Sequence, residues 1–429
     1  MFPFGVAPEE GSEPGRSGEG RGPDTMNRLL LHGARHHDRD AAFLRWEQGR
    51  KGWNWAETPD WQADRHTIRI ALFLRQRLNV AEDERIALWM PLGPEWAVTE
   101  RAVWSVGVVS VPVWPGWELD RVAAVLADAR PTVLFAPGIG AIRELRAIGG
   151  LPDSVRVAIG LAEEVSGRDA EPGPSGVDGP RGSREGGDDS GLEPVLSYGE
   201  VLEYGGVLDT PERASMWRTL AASFEPAKVA AWEYSETADV PAALEGVTDG
   251  LASAGRAVDH AALVEAAERL AHKLPHRKGR VQVLAENQPG LLPRALLYAG
   301  WADGLTATAF ALSRAAWEHV GELGPDVVVG RPDLLQPVLG ELVKADVTSN
   351  GRDAGVLARL RLRRTGHRDG STRGPGPGRS VNGNRPAVLF TSWEAQDMAD
   401  TRKAGIPDSV RRVDVDDVQR MLAGRHPGA

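Results

Sequence analysis

Glu84-Arg85-Ile86-Ala87-Leu88-Trp89-Met90-Pro91 opens the stretch that decides the fold, which runs on to Pro131-Thr132-Val133-Leu134-Phe135-Ala136. Arg85 to Met90 is a short apolar run ending at a proline, the length of a buried strand. Pro94-Glu95-Trp96 then starts a helical pattern in which Trp96, Val103 and Trp104 share one face, and Gly107 closes it. Val108-Val109-Ser110-Val111-Pro112-Val113 is β-branched and apolar and reads as a second strand. Leu119 to Ala129 is helical again, and Thr132 to Phe135 is a third strand. Continuous apolar strands alternating with helices require a parallel sheet covered on both faces, so the expected class is α/β.

The ordered series Glu84-Arg85-Ile86-Ala87-Leu88, Pro94-Glu95-Trp96, Gly107 to Val113 and Pro131 to Phe135 resembles the N-terminal domain of the adenylate-forming (AMP-binding) superfamily. Within it, the series looks most like long-chain acyl-CoA synthetases. The resemblance implies two stacked αβ subdomains with mainly parallel sheets. It also implies an ATP site built on a Ser/Thr/Gly-rich loop.

Composition sets outer bounds. A chain of 429 residues with 41% hydrophobic content can bury a sizeable core and hold two or three domains. The absence of cysteine excludes disulfides, thiolate metal sites and cysteine nucleophiles. A net charge of −10 argues against nucleic acid as the main partner. The start, Met1-Phe2-Pro3-Phe4, lacks the charged and apolar regions of a signal peptide, and no apolar run is long enough for a membrane span. A cytoplasmic location is expected.

Taken in order, residues 1–24 are a Gly/Pro/Glu/Arg arm expected to be disordered, and 25–170 form a first α/β subdomain. Trp53-Asn54-Trp55-Ala56-Glu57 reads as an edge strand or turn before a helix from Ala63 to Leu78. Residues 171–193 are a low-complexity insertion. Residues 194–345 form a second α/β subdomain, in which Val195–Leu202 and Pro211–Ser223 read as helices. Asp259 is placed to cap a helix whose stripe is Leu263, Ala267, Leu270 and Leu274. Later elements are a strand ending at Leu284, a helix from Leu291, a strand to Phe310, a helix from Trp317 to Leu323 and a strand at Val327. Residues 346–386 are a basic, Gly/Pro-rich linker, and 387–429 are a strand-helix unit and tail.

The nucleotide loop bears most on function. In the family a strand ending in Tyr leads into a loop of the form T-S-G-T-T-G-x-P-K-G, whose amides and hydroxyls surround the ATP phosphates. Small residues are needed there so that N–H groups can approach closely. Here Val229 to Tyr234 supplies the strand, but Ser235 and Thr237 are the only hydroxyls of the run to Gly246. That run has no lysine, and Glu236, Asp239 and Glu245 would repel a triphosphate by ~1 kcal/mol or more per close pair. A second registration uses Thr248, Gly250, Ser253, Gly255 and Arg256, with Arg256 as a replacement cation. Tyr234, Ser235, Thr237, Thr248, Gly250, Ser253, Gly255 and Arg256 are therefore expected to mark a vestigial nucleotide loop. No catalytic residue and no metal ligand is assigned.

Past Val343 the family's S-G-G-A-P turn, its Y-G-x-T-E and T-G-D motifs and its lysine-bearing small C-terminal domain find no counterpart, so that domain is expected to be absent. The block Val388-Leu389-Phe390 followed by Pro407-Asp408-Ser409-Val410-Arg411 echoes Val133-Leu134-Phe135 followed by Pro152-Asp153-Ser154-Val155-Arg156 at the same spacing, which a unit of common size explains without duplication. The leading expectation is a catalytically silent relative of acyl-CoA synthetases that keeps the fold to bind an acyl or other small apolar ligand, or a partner protein, with no cofactor. The alternatives are a divergent fatty-acid–CoA ligase using ATP and Mg, and an unrelated α/β interaction protein.

Overall fold

The computed structural model describes residues 23–36, 41–49, 52–162, 195–234, 255–273, 280–285, 290–302, 306–311, 313–330, 387–390 and 411–413. The insertion expected at 171–193, the linker at 346–386 and most of the arm and tail lie outside these residues. The strands begin with β1 (Phe43–Gly49), β2 (Gly52–Thr58), β3 (Arg85–Trp89), β4 (Val109–Val113), β5 (Val133–Gly138), β6 (Val157–Ala162) and β7 (Val195–Ser197). They continue with β8 (Val229–Glu233), β9 (Arg256–Asp259), β10 (Arg280–Leu284), β11 (Thr306–Phe310), β12 (Val327–Gly330), β13 (Ala387–Phe390) and β14 (Arg411–Val413). The helices are α1 (Met26–His36), α2 (Asp60–Leu72), α3 (Pro94–Ser105), α4 (Leu119–Ala129) and α5 (Ile139–Ala147), then α6 (Tyr198–Leu208), α7 (Pro211–Ser223), α8 (His260–Lys273), α9 (Leu291–Ala302) and α10 (Arg314–Glu318).

Two seven-stranded sheets result, one in the order β7-β6-β5-β3-β4-β8-β9 and the other in the order β14-β13-β12-β10-β11-β1-β2. Among the described residues, only the β1–β2 hairpin and the β8–β9 pair are antiparallel. The two-residue period of each strand sorts its side chains between layers. Ile86 and Leu88 of β3, with Val133 and Phe135 of β5, face a central helical layer that includes Trp96, Val103 and Trp104 of α3, Leu263 and Leu270 of α8, and Leu296 of α9. Ala87, Trp89, Leu134 and Ala136 face the other way, under Val122 and Leu126 of α4 and Ile142 of α5. The second sheet sends Leu284, Phe310 and Val329 into the same central layer and packs Val281, Val283 and Val328 beneath Ala316 and Leu323. Both sheets are covered on both faces, as continuous apolar strands demand. Each large apolar side chain taken fully out of water contributes roughly 1.5–3 kcal/mol.

The deciding stretch folds as its pattern requires. Gly107 ends α3 with φ +77, and a Cβ there would lie 2.6 Å from the Phe224 ring, so the position excludes a side chain twice over. Asp259 accepts a hydrogen bond from the Ala262 amide at 2.7 Å and caps α8.

Three expectations need correction. Val195–Leu202 is not one helix: Val195–Ser197 is a short strand against β6, and α6 begins at Tyr198 because Ser197 and Glu200 form a reciprocal capping box there. Trp317–Leu323 is likewise split: α10 starts at Arg314 under a Ser313 cap and gives way to a 3-10 turn at Val320–Leu323. The sheets also do not divide the chain where the composition does. The β1–β2 hairpin pairs with β11 of the second sheet, while β7, β8 and β9 complete the first. The strands on either side of residues 171–193, β6 and β7, pair with each other within one sheet.

Candidate functional site

β8 delivers the root of the expected nucleotide loop. Its last residue, Glu233, precedes Tyr234, which is buried and donates its hydroxyl proton to the Asp128 carboxylate on α4. Ser235, Thr237, Thr248, Gly250 and Ser253 lie outside the described residues. The chain is described again at Gly255 and Arg256, where β9 turns back along β8. A Cβ on Gly255 would fall 1.9 Å from the Trp232 indole nitrogen, so this position needs glycine for close packing. Arg256 stands directly opposite Glu233 in the antiparallel register. The structure thus brings Tyr234, Gly255 and Arg256 together at one hairpin root.

Beneath that root lies an ionic cluster that the sequence reading does not contain. Glu100 of α3 is fully buried and accepts hydrogen bonds from Trp96 Nε1 at 3.0 Å, Ser110 Oγ at 2.8 Å and Arg294 Nε at 3.1 Å. Arg294 Nη2 and the Tyr298 hydroxyl also donate to it. The remaining arm of the guanidinium, Nη1, donates to Glu233. The side chains of Arg294 and Glu100 are 0% exposed and that of Glu233 is 12% exposed. The cluster therefore joins the α3 and α9 helices of the central layer to the end of β8.

Its electrostatics are uneven. Burial alone would weaken the Arg294 cation, but the facing Glu100 and Glu233 carboxylates overcome this and hold it more firmly protonated than a free arginine. For Glu233, burial pushes the carboxyl above the ordinary range, Arg294 pulls it back, and the Glu100 charge pushes it up again. Burial, followed by the neighbouring Glu100 charge, raises the Tyr298 hydroxyl well above its usual value. A buried charge costs several kcal/mol unless it is paired and hydrogen-bonded, which explains why Glu100 gathers so many donors.

Two sequence signals point to this cluster. Trp96, Glu100 and Trp104 recur every four residues, so the glutamate lies on the buried stripe between two tryptophans. Arg294 is the single charged residue of Leu291–Ala302. A lone charge in a helix apolar all round needs a buried counter-charge.

These residues fit a triphosphate poorly. Tyr234 is engaged by Asp128, and Arg256 faces a carboxylate of this chain. No group of histidines and carboxylates among the described residues has the arrangement of a metal site.

Two stacked, mainly parallel αβ sheets around shared central helices define the N-terminal domain fold of adenylate-forming enzymes. Residues 32–185 match the family model described as "AMP-binding enzyme", and over that segment the chain is similar to this family. Curated relatives include the acetyl-coenzyme A synthetase of Pyrobaculum aerophilum, 29% identical over 71 residues, which are 17% of this chain and 11% of that protein. A hybrid PKS-NRPS synthetase of Thermothelomyces thermophilus is 31% identical over 99 residues, 23% of this chain and 2% of its own length. Among solved structures, a fatty acyl CoA synthetase of Mycobacterium tuberculosis superposes with a TM-score of 0.51 at 15% identity, covering 73% of this chain and 51% of that one. A long-chain-fatty-acid-CoA ligase of Archaeoglobus fulgidus gives 0.51 at 14% identity, over 74% of this chain and 53% of its own. The chain thus matches about half the length of these two enzymes, and at such identities the likeness establishes the fold.

Proposed function

We propose that this chain is a catalytically silent relative of acyl-CoA synthetases, in which the frame is kept and the phosphate site is turned inward. The observation carrying this reading is the internal pairing at the loop root: Tyr234 with Asp128, and Glu233 with Arg294 above Glu100. Groups that could meet a triphosphate are spent on partners within the chain, and the loop sequence adds Glu236, Asp239 and Glu245. The transition state of adenylation gathers negative charge on phosphorus oxygens, and losing one donor aimed at such charge costs ~10²–10³ in rate. Losing several leaves no measurable turnover. In this reading the retained frame binds an acyl or other small apolar ligand, or a partner protein, and no cofactor is required. No helix among the described residues is long and apolar enough to cross a membrane.

Calorimetry with ATP and magnesium is the direct test, paired with pyrophosphate release in the presence of fatty acids and coenzyme A. The silent reading expects neither heat nor pyrophosphate above a blank. Turnover that disappears on Arg256→Ala would replace it with a divergent acid–CoA ligase, for which ATP and magnesium would be needed. The fold shared with the fatty acyl CoA synthetase makes that the second reading.

A further inference from the structure

The second sheet ends on β2, which among the described residues is paired on one side only. Outer strands are usually kept short, or broken by proline, lysine or a bulge, because their unpaired main-chain groups invite another chain. The other outer strands are short: β14 and β7 have three residues each and β9 has four. β2 has seven, Gly52-Trp53-Asn54-Trp55-Ala56-Glu57-Thr58, with neither proline nor lysine and an unbroken register against β1. Trp53 is 60% exposed, and Trp61, just beyond the strand on α2, is 67% exposed. We propose that β2 is an interaction edge whose partner is the β2 of a second copy, paired antiparallel about Trp55 so that the two second sheets become one. The edge lies on the other sheet from the loop after β8, so this inference does not depend on the reading above.

The ladder itself selects this register. Phe43 stands beside Thr308, and the Thr308 amide donates to the Ala42 carbonyl. In that parallel pattern Leu44 turns its own main-chain groups to β11, while Phe43 and Arg45 turn theirs to β2. The alternation continues along the strand, so the residues opposite Leu44, Trp46 and Gln48 carry no ladder bond to β1. Those residues are Glu57, Trp55 and Trp53, and their N–H and C=O groups point to the outer edge. The set is symmetric about Trp55. With a two-fold axis there, each Trp53 lies opposite Glu57 of the second copy, and every outward N–H and C=O of the three residues is paired. A slip of two residues leaves part of the set unpaired. Trp53, Trp55 and Glu57 also share one face of the strand, so each exposed indole packs on a carboxylate side chain. Glu57 is the single charge of β2, and its two copies fall about 14 Å apart, beyond the screening length of about 8 Å. Trp55 is held in place for pairing: its ring meets that of Trp46 at 5.4 Å, and its indole N–H donates to the His319 carbonyl at 3.2 Å.

One strand about 24 Å long with its flanking indoles makes an interface at the small end of the protein–protein range, so the dimer is a weak one. Sedimentation equilibrium of the full chain from about 1 to about 200 μM should show monomer passing to dimer. Trp53→Pro deletes an outward N–H and an exposed indole without removing a bond to β1, and should weaken the dimer at least about tenfold. Trp53→Lys keeps the N–H but sets a charge on the edge, so it carries the comparison if the proline variant does not fold. The chain has no cysteine, which lets the register be read directly. Asn54 of one copy stands opposite Ala56 of the other in a non-hydrogen-bonded pair, whose Cα separation of about 4.5 Å suits a disulfide. Asn54→Cys and Ala56→Cys proteins, mixed and mildly oxidised, should form a cross-linked mixed dimer several-fold faster than either protein cross-links alone. Dimerisation weakened by a Trp53 variant, with faster cross-linking in the mixture, supports the proposal. A chain still monomeric at about 200 μM overturns it. So does a dimer that neither Trp53 variant weakens, which another surface must hold, or a mixture that cross-links no faster than its components.

Discussion

The indole N–H of Trp104 donates to the main-chain carbonyl of Ala230 at 2.8 Å, tying the middle of the central layer to the strand that leads into the loop. Ser110 Oγ lies 3.1 Å from the same oxygen, but its single proton goes to Glu100 at 2.8 Å, so the indole is the side-chain donor this carbonyl depends on. Trp104→Phe should therefore cost about 1–3 kcal/mol, for one hydrogen bond, the buried carbonyl it leaves and part of the ring volume. Trp104→Ala, which opens a cavity at a fully buried site, should cost about 3–5 kcal/mol. Urea unfolding of both variants checks the ordering, and a phenylalanine variant as unstable as the alanine one would contradict it.

A double-mutant cycle addresses Glu100 and Arg294. Arg294→Met strands the Glu100 carboxylate in the interior and should destabilise by about 3–5 kcal/mol. Glu100→Gln in the same background removes the stranded charge and should restore a substantial part of that loss. Additive costs in denaturant unfolding would show that the two groups act independently.

Histidine 260 makes stability depend on pH. Its ring is 1% exposed and lies against Trp104, and Nδ1 has no hydrogen-bond partner among the described residues. Burial, and next the Lys228 charge, lower its pKa to about 4. The folded state therefore holds the imidazole neutral, whereas the unfolded chain protonates it near 6.5. The sign follows: the contribution is fully present above about pH 6.5, declines on acidification, and is lost by about pH 4, where it amounts to on the order of 3 kcal/mol. His260→Leu should flatten the acid side of the urea-midpoint profile relative to wild type. Parallel profiles would refute the assignment.

Adjacent glycines of α6 should respond with opposite signs. A Cβ on Gly205 would lie 2.2 Å from the Arg69 carbonyl oxygen of α2, which is backbone and cannot move aside cheaply. A Cβ on Gly206 meets only the Arg69 side chain, at 3.5 Å. Alanine is favoured over glycine inside a helix by about 1 kcal/mol, so Gly206→Ala should raise the melting temperature. Gly205→Ala should lower it by forcing α2 and α6 apart. Equal effects would mean that the two helices are not in contact through this glycine.

Much of the first sheet is legible in the sequence because its signals are local. Val133-Leu134-Phe135 is a fully buried strand with both faces apolar, and Gly107 and Asp259 punctuate helices through their own backbone and side-chain chemistry. What escapes is decided at long range. Arg294 and Glu100 are 194 residues apart, and each by itself looks like an isolated charge among apolar residues. Trp53–Glu57 is recognisable as an edge strand or turn, but nothing local reveals its partner strand Phe43–Gly49 or says which sheet the pair joins. Val195–Ser197 is too short for its period to distinguish a strand from the first turn of a helix. The strands that begin the two echoed blocks pair alike: Val133 with Val157, and Ala387 with Arg411, at the same separation along the chain. A unit of common size accounts for both.

The hairpin's place in the second sheet has a consequence for the birth of the molecule. Phe43 pairs with Thr308, so β1, the earliest of the described strands, has no parallel neighbour until some 260 residues later in synthesis. At about 5–20 residues per second, that interval is on the order of tens of seconds. The β3 to β6 region, whose strands neighbour one another in sequence, can collapse meanwhile, leaving Trp46, Trp53 and Trp55 without their final sheet. The nascent chain should thus pass through a long-lived stage in which this tryptophan-rich ribbon offers a ready surface to chaperones, a cost of contact order that the finished fold conceals.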